Sequence, residues 1–243
     1  MYGPEYFAGR FDYRRAKMQA QERARLLKYA SGGRILDVGC GDGAFLDGLD
    51  DRWEKWGVDV SAYACRLAGQ KGIRIVPFSS TWPEEFTDDC FDVVVFRGTI
   101  QHIDDPFYIL RECVRLLKPE GLMVFLATPN TASICYRLFG ELPALDAARN
   151  WLVVSDRQLF DILWRLGMRI EEVVYPYLET PYARPVRDHI DFALRLLGRR
   201  RAFAFWKNMM EVYCRKPVDV PLAVNWKEAR TSASVPVPLL AGA

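Results

Sequence analysis

The chain has 243 residues, of which 50% are apolar, and this is long enough to bury a sizeable core as one globular domain. Its 33 Lys and Arg nearly balance its 31 Asp and Glu, so no overall basic field indicates a nucleic-acid partner. The 6 cysteines include no Cys-x-x-Cys pair and no histidine at zinc-ligand spacing, so we expect reduced, mostly buried thiols in a cytosolic protein.

Residues 14–29 predict a helix ahead of the first strand. The stretch is rich in Ala, Gln, Glu, Arg and Leu without Pro or Gly, and the Ser-Gly-Gly at 31–33 would end the helix. The N-terminus has no apolar core with a small-residue cleavage site, and no run reaches the ~18 apolar residues that cross a bilayer. We therefore expect a cytoplasmic protein.

Short apolar runs alternate with helical stretches from residue 34 to residue 130. Strands separated by helices at this spacing predict βαβ units and a parallel sheet covered by helices on both faces. The fold class is therefore α/β, with a doubly wound sheet. The predicted strands here are RILDVGC, KWGVDVS, IRIVPF, FDVVVFRG and GLMVFLATPN, with helices from about 43, from about 62 and over 105–117.

Three more elements are expected after residue 130. Ser-Asp-Arg-Gln at 155–158 has the capping-box pattern and begins a helix that Gly167 would end. The runs MRIEEVVYPY, from 168, and MMEVYCRKP, from 209, predict two further strands.

Two long connections, 131–152 and 178–205, interrupt this second half. Long connections in a compact domain are usually lids or binding loops, so we expect these insertions to select the substrate. Beyond residue 217 the sequence is rich in Pro, Ala, Ser and Val without a period, which predicts a flexible tail over 217–243.

Gly39, Gly41 and Gly43 follow the first predicted strand at alternate positions. In a doubly wound sheet this turn meets the ligand, so we expect positive φ at Gly39, close ligand approach at Gly41, and a helix starting close to the strand at Gly43. The alternative is a tight turn that binds nothing. The segment also fits the dinucleotide pattern G-x-G-x-x-A, and Asp59, at about the usual ~20-residue spacing, could hold the ribose of either NAD or S-adenosylmethionine.

Asp37, inside the first strand, discriminates between these ligands. A carboxylate would repel a pyrophosphate but would attract the ammonium and sulfonium groups of S-adenosylmethionine. The alternative is a buried acid satisfied by the backbone amides of the turn.

The segments ILDVGCGDG, GVDVS, FDVVVFRGTIQHIDDP and RECVRLLKPEGLMVFLATPN, in this order, resemble the successive motifs of class I S-adenosylmethionine-dependent methyltransferases, especially the bacterial ubiquinone-type and sugar methyltransferases. The likeness is strong over 34–130 and looser to residue 216. It implies a Rossmann-like seven-stranded sheet with an antiparallel last strand, S-adenosylmethionine as cofactor, a methyltransferase domain over 32–216 and a helical lid over 1–31. The cofactor-binding residues it implies are Asp37, Gly39, Cys40, Gly41, Asp59, Val60, Phe78, Ser79, Arg97 and Gly98.

Two of the implied positions have a structural alternative. Phe78 would pack on adenine, or else belong to the core. His102 would face the sulfonium and could accept a proton from a substrate hydroxyl, or else support its loop. Asp104 and Asp105, with Pro106 behind them, are expected to cap the next helix. Arg97 stands where metal-dependent relatives place an acid, so no metal site is expected.

Basic and aromatic residues also cluster near both ends of the chain. At the N-terminus a segment dense in aromatic residues and arginine could cover the cofactor or pack as a surface helix. Its residues are Tyr2, Tyr6, Phe7, Arg10, Tyr13, Arg14 and Arg15. Arg199–Arg201 could contact a phosphate-bearing substrate or an anionic membrane surface, or form a solvated face.

The function that these features favour is methyl transfer to a small molecule, most simply to a hydroxyl in sugar, glycolipid or quinone-like biosynthesis. The alternatives are an NAD(P)-dependent oxidoreductase and a cofactor-binding accessory protein without catalysis. The sequence contains no Tyr-x-x-x-Lys pair after the fifth strand to support the oxidoreductase, and it leaves the acceptor and the oligomeric state open.

Overall fold

The structure is a computed structural model in which residues 13–142, 150–198 and 206–218 are described. The strands are Gly33–Val38 (β1), Trp53–Val58 (β2), Arg74–Val76 (β3), Phe91–Arg97 (β4), Leu117–Pro129 (β5), Arg169–Val174 (β6) and Met209–Arg215 (β7). The α-helices are Tyr13–Leu26 (α1), Ala44–Asp47 (α2), Ala62–Gln70 (α3), Pro106–Leu116 (α4), Ile134–Phe139 (α5), Asp156–Arg165 (α6) and Pro185–Leu196 (α7). Short 3₁₀ helices lie at Trp82–Glu85 and Ile100–His102.

The strands within the described ranges form one seven-stranded sheet in the order β3-β2-β1-β4-β5-β7-β6. The pairs along the row from β3 to β5 are parallel, whereas β7 runs antiparallel to both β5 and β6. The predicted α/β class and the antiparallel last strand are confirmed. The strand order reverses beside β1, which pairs with β2 on one side and with β4 on the other.

The centre of the sheet is buried on both faces, as the continuous apolar strands predicted. In β4, Val94 and Phe96 join one hydrophobic cluster, while Val93 and Val95 join the cluster on the opposite face. All four side chains are fully buried. This alternation follows from the two-residue period of a strand.

Several predicted boundaries are wrong. Helix α1 ends at Leu26 rather than near residue 29, and the helix after the glycine turn is the single turn α2. The first insertion also contains α5, where the sequence pattern had broken down. The signals of α5 are local: Ser133 accepts a hydrogen bond from the Tyr136 amide, and Gly140 ends the helix at φ 68°. A six-residue helix is too short to show a helical period.

Four parts of the predicted segments lie outside the described residues: 1–12 of the N-terminal aromatic segment, 143–149 of the first insertion, Arg199–Arg201, and the tail from 219. Tyr13 of the N-terminal segment is described and is 81% exposed. The lid and tail predictions for those stretches therefore stay predictions. No helix in the described ranges is long and apolar enough to cross a membrane.

Helix α1 is fastened to the sheet by a buried ion pair. The Arg25 guanidinium donates to both carboxylate oxygens of Glu211 on β7, at 2.8 and 2.5 Å. The Tyr213 hydroxyl donates to the same carboxylate at 3.0 Å. Glu211 is fully buried, so its charge depends on these donors in place of water. Met18 adds an apolar contact with Met209 about two helical turns from this anchor.

We expect Arg25→Met to lower the free energy of unfolding by about 3–5 kcal/mol, because it leaves the buried Glu211 carboxylate without its cation. The measurement is chemical denaturation followed by circular dichroism. Arg52→Met is the matched control, since Arg52 pairs with Asp50 on the surface, and no measurable loss is expected there. An equal effect of the two substitutions would contradict the role of the Arg25 anchor.

Candidate functional site

A cavity of about 520 Å³ opens at the carboxyl ends of β1, β2 and β4, beside the reversal in strand order. This is where a doubly wound sheet binds its ligands, because the loops on the two sides of the reversal diverge. The described residues that line it include Val38, Gly39, Gly41, Val58, Asp59, Val60, Phe78, Ser79, Ser80, Trp82, Arg97, Gly98, Thr99, His102, Asp104, Asp105 and Tyr108.

The glycine turn forms one wall of the cavity. Gly39 adopts φ 84° and Gly41 adopts φ 54°, so the positive φ predicted at Gly39 is confirmed. A Cβ at Gly39 would overlap the side chain of Thr99, which shows that the loop after β4 lies directly against this turn. Gly43 is the N-cap of α2, and a Cβ there would overlap Ile73 and lie 3.0 Å from the Cβ of Ala68 on α3.

Asp59 joins the ends of β1 and β2. Its Oδ2 accepts a hydrogen bond from the Gly41 amide at 2.9 Å, and its Oδ1 accepts one from the Ser61 amide at 2.8 Å. A carboxylate offers about four acceptor positions, so each oxygen retains a lone pair. The side chain borders the cavity and can receive a pair of vicinal hydroxyls while it holds the turn.

Asp37 lies beneath the turn and outside the cavity lining. Its side chain is buried, and its Oδ1 meets no hydrogen-bond donor among the described residues. The turn amides therefore do not satisfy this oxygen, contrary to the structural alternative for Asp37. Burial raises the pKa of Asp37 to about 7, and the nearby Arg97 guanidinium opposes part of the rise. An orphaned, buried carboxylate oxygen is suited to a cationic ligand group.

Arg97 is held by a residue that sequence reasoning missed. Its Nε donates to Oε2 of Glu22 on α1 at 2.7 Å. Burial raises the pKa of Glu22, and the same guanidinium opposes the rise. The available signal was an acid on an apolar helix face, because Met18, Glu22 and Leu26 follow one another at helical spacing and are all buried.

The side chains on the adenine side of the predicted site are open to solvent. Val60 is 56% exposed and Phe78 is 57% exposed, and both border the cavity. The core alternative for Phe78 is therefore wrong, and a flat apolar ligand could cover both side chains. Asp105 accepts a hydrogen bond from the Tyr108 amide at 2.9 Å and caps α4, as predicted.

The structure brings together most of the predicted site residues. Those that border the cavity are Gly39, Gly41, Asp59, Val60, Phe78, Ser79, Arg97, Gly98 and His102. The side chain of Cys40 does not, because its sulfur is buried against Gly57 of β2. The cavity residues that sequence reasoning missed include Trp82, which begins a 3₁₀ helix, and Tyr108, which lies in the first turn of α4.

His102 occupies the last position of the 3₁₀ helix after β4. Its Nε2 lies 3.3 Å from the amide nitrogen of Gln101, whose side chain is buried. No group of three or more His, Cys, Asp or Glu side chains in the described ranges could hold a metal ion.

Comparison with known proteins places this geometry among the methyltransferases. A family described as "Methyltransferase domain" matches residues 11–173, which is more than half of the chain. A ubiquinone biosynthesis O-methyltransferase of Alkalilimnicola ehrlichii is 34% identical over 125 residues, covering 48% of this chain and 51% of that protein. The chain thus matches about half the length of this relative.

Solved structures support the fold. An S-adenosylmethionine-dependent methyltransferase from Archaeoglobus fulgidus superposes with a TM-score of 0.57 at 20% identity, over 82% of this chain and 92% of that one. The [4+2]-cyclase SpnF superposes with a TM-score of 0.58 at 21% identity, over 87% and 84% of the two chains. Since the second protein is named for a different reaction, likeness of fold does not settle the chemistry.

We expect Gly39→Ala to cost more stability than Gly72→Ala. Both glycines have positive φ, which costs an L-residue about 1–2 kcal/mol, but only the Cβ at residue 39 meets a neighbour, and such an overlap adds about 1–3 kcal/mol. Urea denaturation of the two variants measures the difference. Equal losses would mean that the turn and the Thr99 loop are not in contact.

Proposed function

This chain belongs to the class I S-adenosylmethionine-dependent methyltransferases, and from that premise we propose that it transfers a methyl group to a hydroxyl oxygen of a small molecule. The observation that carries the proposal is the pair of carboxylates around the glycine turn. Asp59 borders the cavity, and each of its carboxylate oxygens retains a lone pair that can accept a hydrogen bond. Asp37 lies beneath the glycine turn, and its Oδ1 has no donor among the described residues. A ligand with a ribose diol and an ammonium group complements both.

The residues present fit this cofactor. Asp59 would hold the ribose hydroxyls and Val60 and Phe78 would flank the adenine, while Asp37 favours the charge of the methionine ammonium. When bound, S-adenosylmethionine supplies a methyl group on a sulfonium, and its transfer to an acceptor oxygen leaves a neutral thioether and releases the hydroxyl proton. Arg97 borders the cavity, but its guanidinium is already paired with the Glu22 carboxylate.

The protein's contribution to such a transfer is alignment and exclusion of water. Fixing two reactants in line can account for ~7–11 kcal/mol of the barrier. The turn supplies this rigidity, because Asp59 ties Gly41 to β2 and Thr99 lies against Gly39. His102, Gly98 and Thr99 form the part of the wall after β4 where an acceptor would be held.

The oxidoreductase alternative finds no support at Asp37. A pyrophosphate beside this carboxylate would add repulsion to a charge that already lacks a donor. For the acceptor, the support comes from relatives named as ubiquinone biosynthesis O-methyltransferases, which favour a phenolic or other ring hydroxyl. A sugar hydroxyl remains the alternative acceptor.

We further propose that the protein is cytoplasmic and contacts anionic membrane surfaces through the second insertion, where such an acceptor would be found. Helix α7 exposes Val186 (77%) and Ile190 (53%) along one side, and Leu197 (77%) caps its C-terminal end. Arg187, 67% exposed, lies beside this row, and Arg199–Arg201 follow the helix in sequence. An apolar helix face flanked by arginines is typical of helices that lie in a lipid interface.

We expect S-adenosylhomocysteine to bind more tightly as the pH rises, up to the pKa of Asp37. This pKa is raised to about 7, so at lower pH the carboxyl must lose its proton before it can pair with the ammonium. The affinity should fall about tenfold per pH unit below 7 and level off above it. Isothermal titration calorimetry measures both the affinity and the proton release.

Two variants separate the carboxylates in this titration. Asp37→Asn should weaken binding at pH 8 and remove the pH dependence, whereas Asp59→Asn should weaken binding and keep the slope. Transfer of radiolabelled methyl from S-adenosylmethionine to a panel of phenols, catechols and sugars then tests the reaction. Binding of NADH or NADPH in place of S-adenosylhomocysteine would overturn the proposed function.

For the membrane contact, we expect co-sedimentation with vesicles of anionic phospholipid but not with neutral ones. Val186→Ser with Ile190→Ser should weaken binding roughly tenfold or more, since each aliphatic side chain that leaves water contributes about 1.5–3 kcal/mol. Trp164→Ser is the matched control, because Trp164 is 76% exposed on another helix, α6. Equal loss in both variants would contradict a specific contact by α7.

A further inference from the structure

Gln101 occupies a buried position between the cavity wall and the first insertion. Its side-chain amide nitrogen lies 3.1 Å from the Gly98 carbonyl oxygen and 3.3 Å from Nε2 of His102. Its main-chain carbonyl accepts hydrogen bonds from the amides of Trp151, at 2.7 Å, and Leu152, at 3.4 Å. One residue thus touches both a cavity-lining histidine and the segment expected to select the substrate.

These contacts fix the orientation of the Gln101 amide. A backbone carbonyl can only accept, so the group that faces Gly98 must be the NH₂ and not the oxygen. The second hydrogen of that NH₂ is directed to Nε2 of His102. If the amide were flipped, its oxygen would face the carbonyl oxygen of Gly98. Its NH₂ would then occupy the present position of Oε1, which has no hydrogen-bond partner in the described residues.

The oriented amide in turn fixes the histidine. An imidazole nitrogen that accepts a hydrogen bond must carry a lone pair, and the neutral ring then carries its proton on the other nitrogen. We propose that Gln101 is a positioning residue that holds His102 in the tautomer protonated at Nδ1. No sequence motif indicates this, because glutamine before histidine is compatible with either tautomer.

The tautomer changes the role of His102 in the reaction, and this consequence rests on the proposed function. The lone pair at Nε2 is occupied by Gln101, so the ring presents an N–H at Nδ1. In this arrangement Nε2 of His102 cannot accept the hydroxyl proton unless its hydrogen bond with Gln101 breaks, which argues against the general-base alternative and for the loop-supporting one. The contacts of Gln101 with Trp151 and Leu152 link this orientation to docking of the first insertion.

Nitrogen-15 NMR tests the proposal directly, since the chain contains only 2 histidines. Long-range proton–nitrogen spectra, recorded about two units above the ordinary histidine pKa of ~6.5, report which ring nitrogen is protonated. We expect His102 of the wild type to be protonated at Nδ1. His189 is the internal control, because its Nδ1 lies 2.7 Å from the Pro185 carbonyl and must donate to it. A His189→Gln variant assigns the two signal sets.

Two substitutions of Gln101 complete the test. Gln101→Glu presents a carboxylate that can only accept, so the proton of His102 should move to Nε2 while the signals of His189 stay unchanged. Gln101→Met keeps the shape without hydrogen bonding and should give a mixture of tautomers. A wild-type His102 protonated at Nε2, or the same tautomer in all three proteins, would overturn the proposal.

Calorimetry with S-adenosylhomocysteine on the same samples keeps this result apart from the proposed function. The affinity of Gln101→Met for the compound should be within about twofold of the wild-type affinity, because this substitution removes only the side-chain hydrogen bonds to Gly98 and His102. If no protein binds the compound, the methyltransferase proposal fails, while the tautomer of His102 is still read from the spectra. An affinity loss in Gln101→Met equal to that in Asp59→Asn would contradict a positioning role confined to the acceptor side.

Discussion

The carboxyl group of Asp37, buried under the glycine turn, sets the electrostatics of the site. Water cannot reach it, and one of its oxygens has no donor among the described residues. Arg97 is the cation that lowers the pKa of Asp37, and it is already paired with the buried Glu22. Glu22 takes the hydrogen bonds of Arg97, so Asp37 has no ion-pair partner of its own among the described residues when it is ionised, and it faces a local deficit of positive charge. A ligand that brings an ammonium group relieves this deficit, whereas a pyrophosphate would deepen it.

The same charges explain why α1 belongs to the functional part of the molecule. Glu22 and Arg25 lie on one helix, and each pairs with a residue of the sheet: Arg97 on the central strand β4 and Glu211 on β7, next to the edge. The antiparallel strand at the end of the chain thus supports the helix that neutralises a cavity residue. Breaking the Arg25–Glu211 pair on β7 would therefore also loosen the Glu22–Arg97 pair at the cavity, because α1 carries both contacts.

The cavity wall after β4, where we propose that the acceptor is held, is organised differently, by hydrogen bonds to neutral groups. Gln101 connects Gly98, His102 and the backbone of the first insertion without a formal charge. Neutral contacts of this kind can set the direction of a hydrogen bond without competing with the cofactor's charges for counterions. The proposed cofactor side is therefore organised by charges and the proposed acceptor side by neutral hydrogen bonds. This division suits a reaction that depends mainly on alignment of the two reactants.

The sequence by itself determined the features whose signals lie close together along the chain. The alternation of strands and helices gave the α/β class, Asp105 with Pro106 gave the start of α4, and the glycine turn with Asp59 gave the ligand edge of the sheet, because each signal lies within one or two elements. The exposure of Phe78, the partner of Gly43 and the orphaned oxygen of Asp37 depended on packing. Only the tertiary structure brought Glu22 to Arg97, 75 residues away, and turned the amide of Gln101 toward His102. Local propensity does not encode such contacts, because the tertiary fold decides which residue lies beside a buried charge or amide.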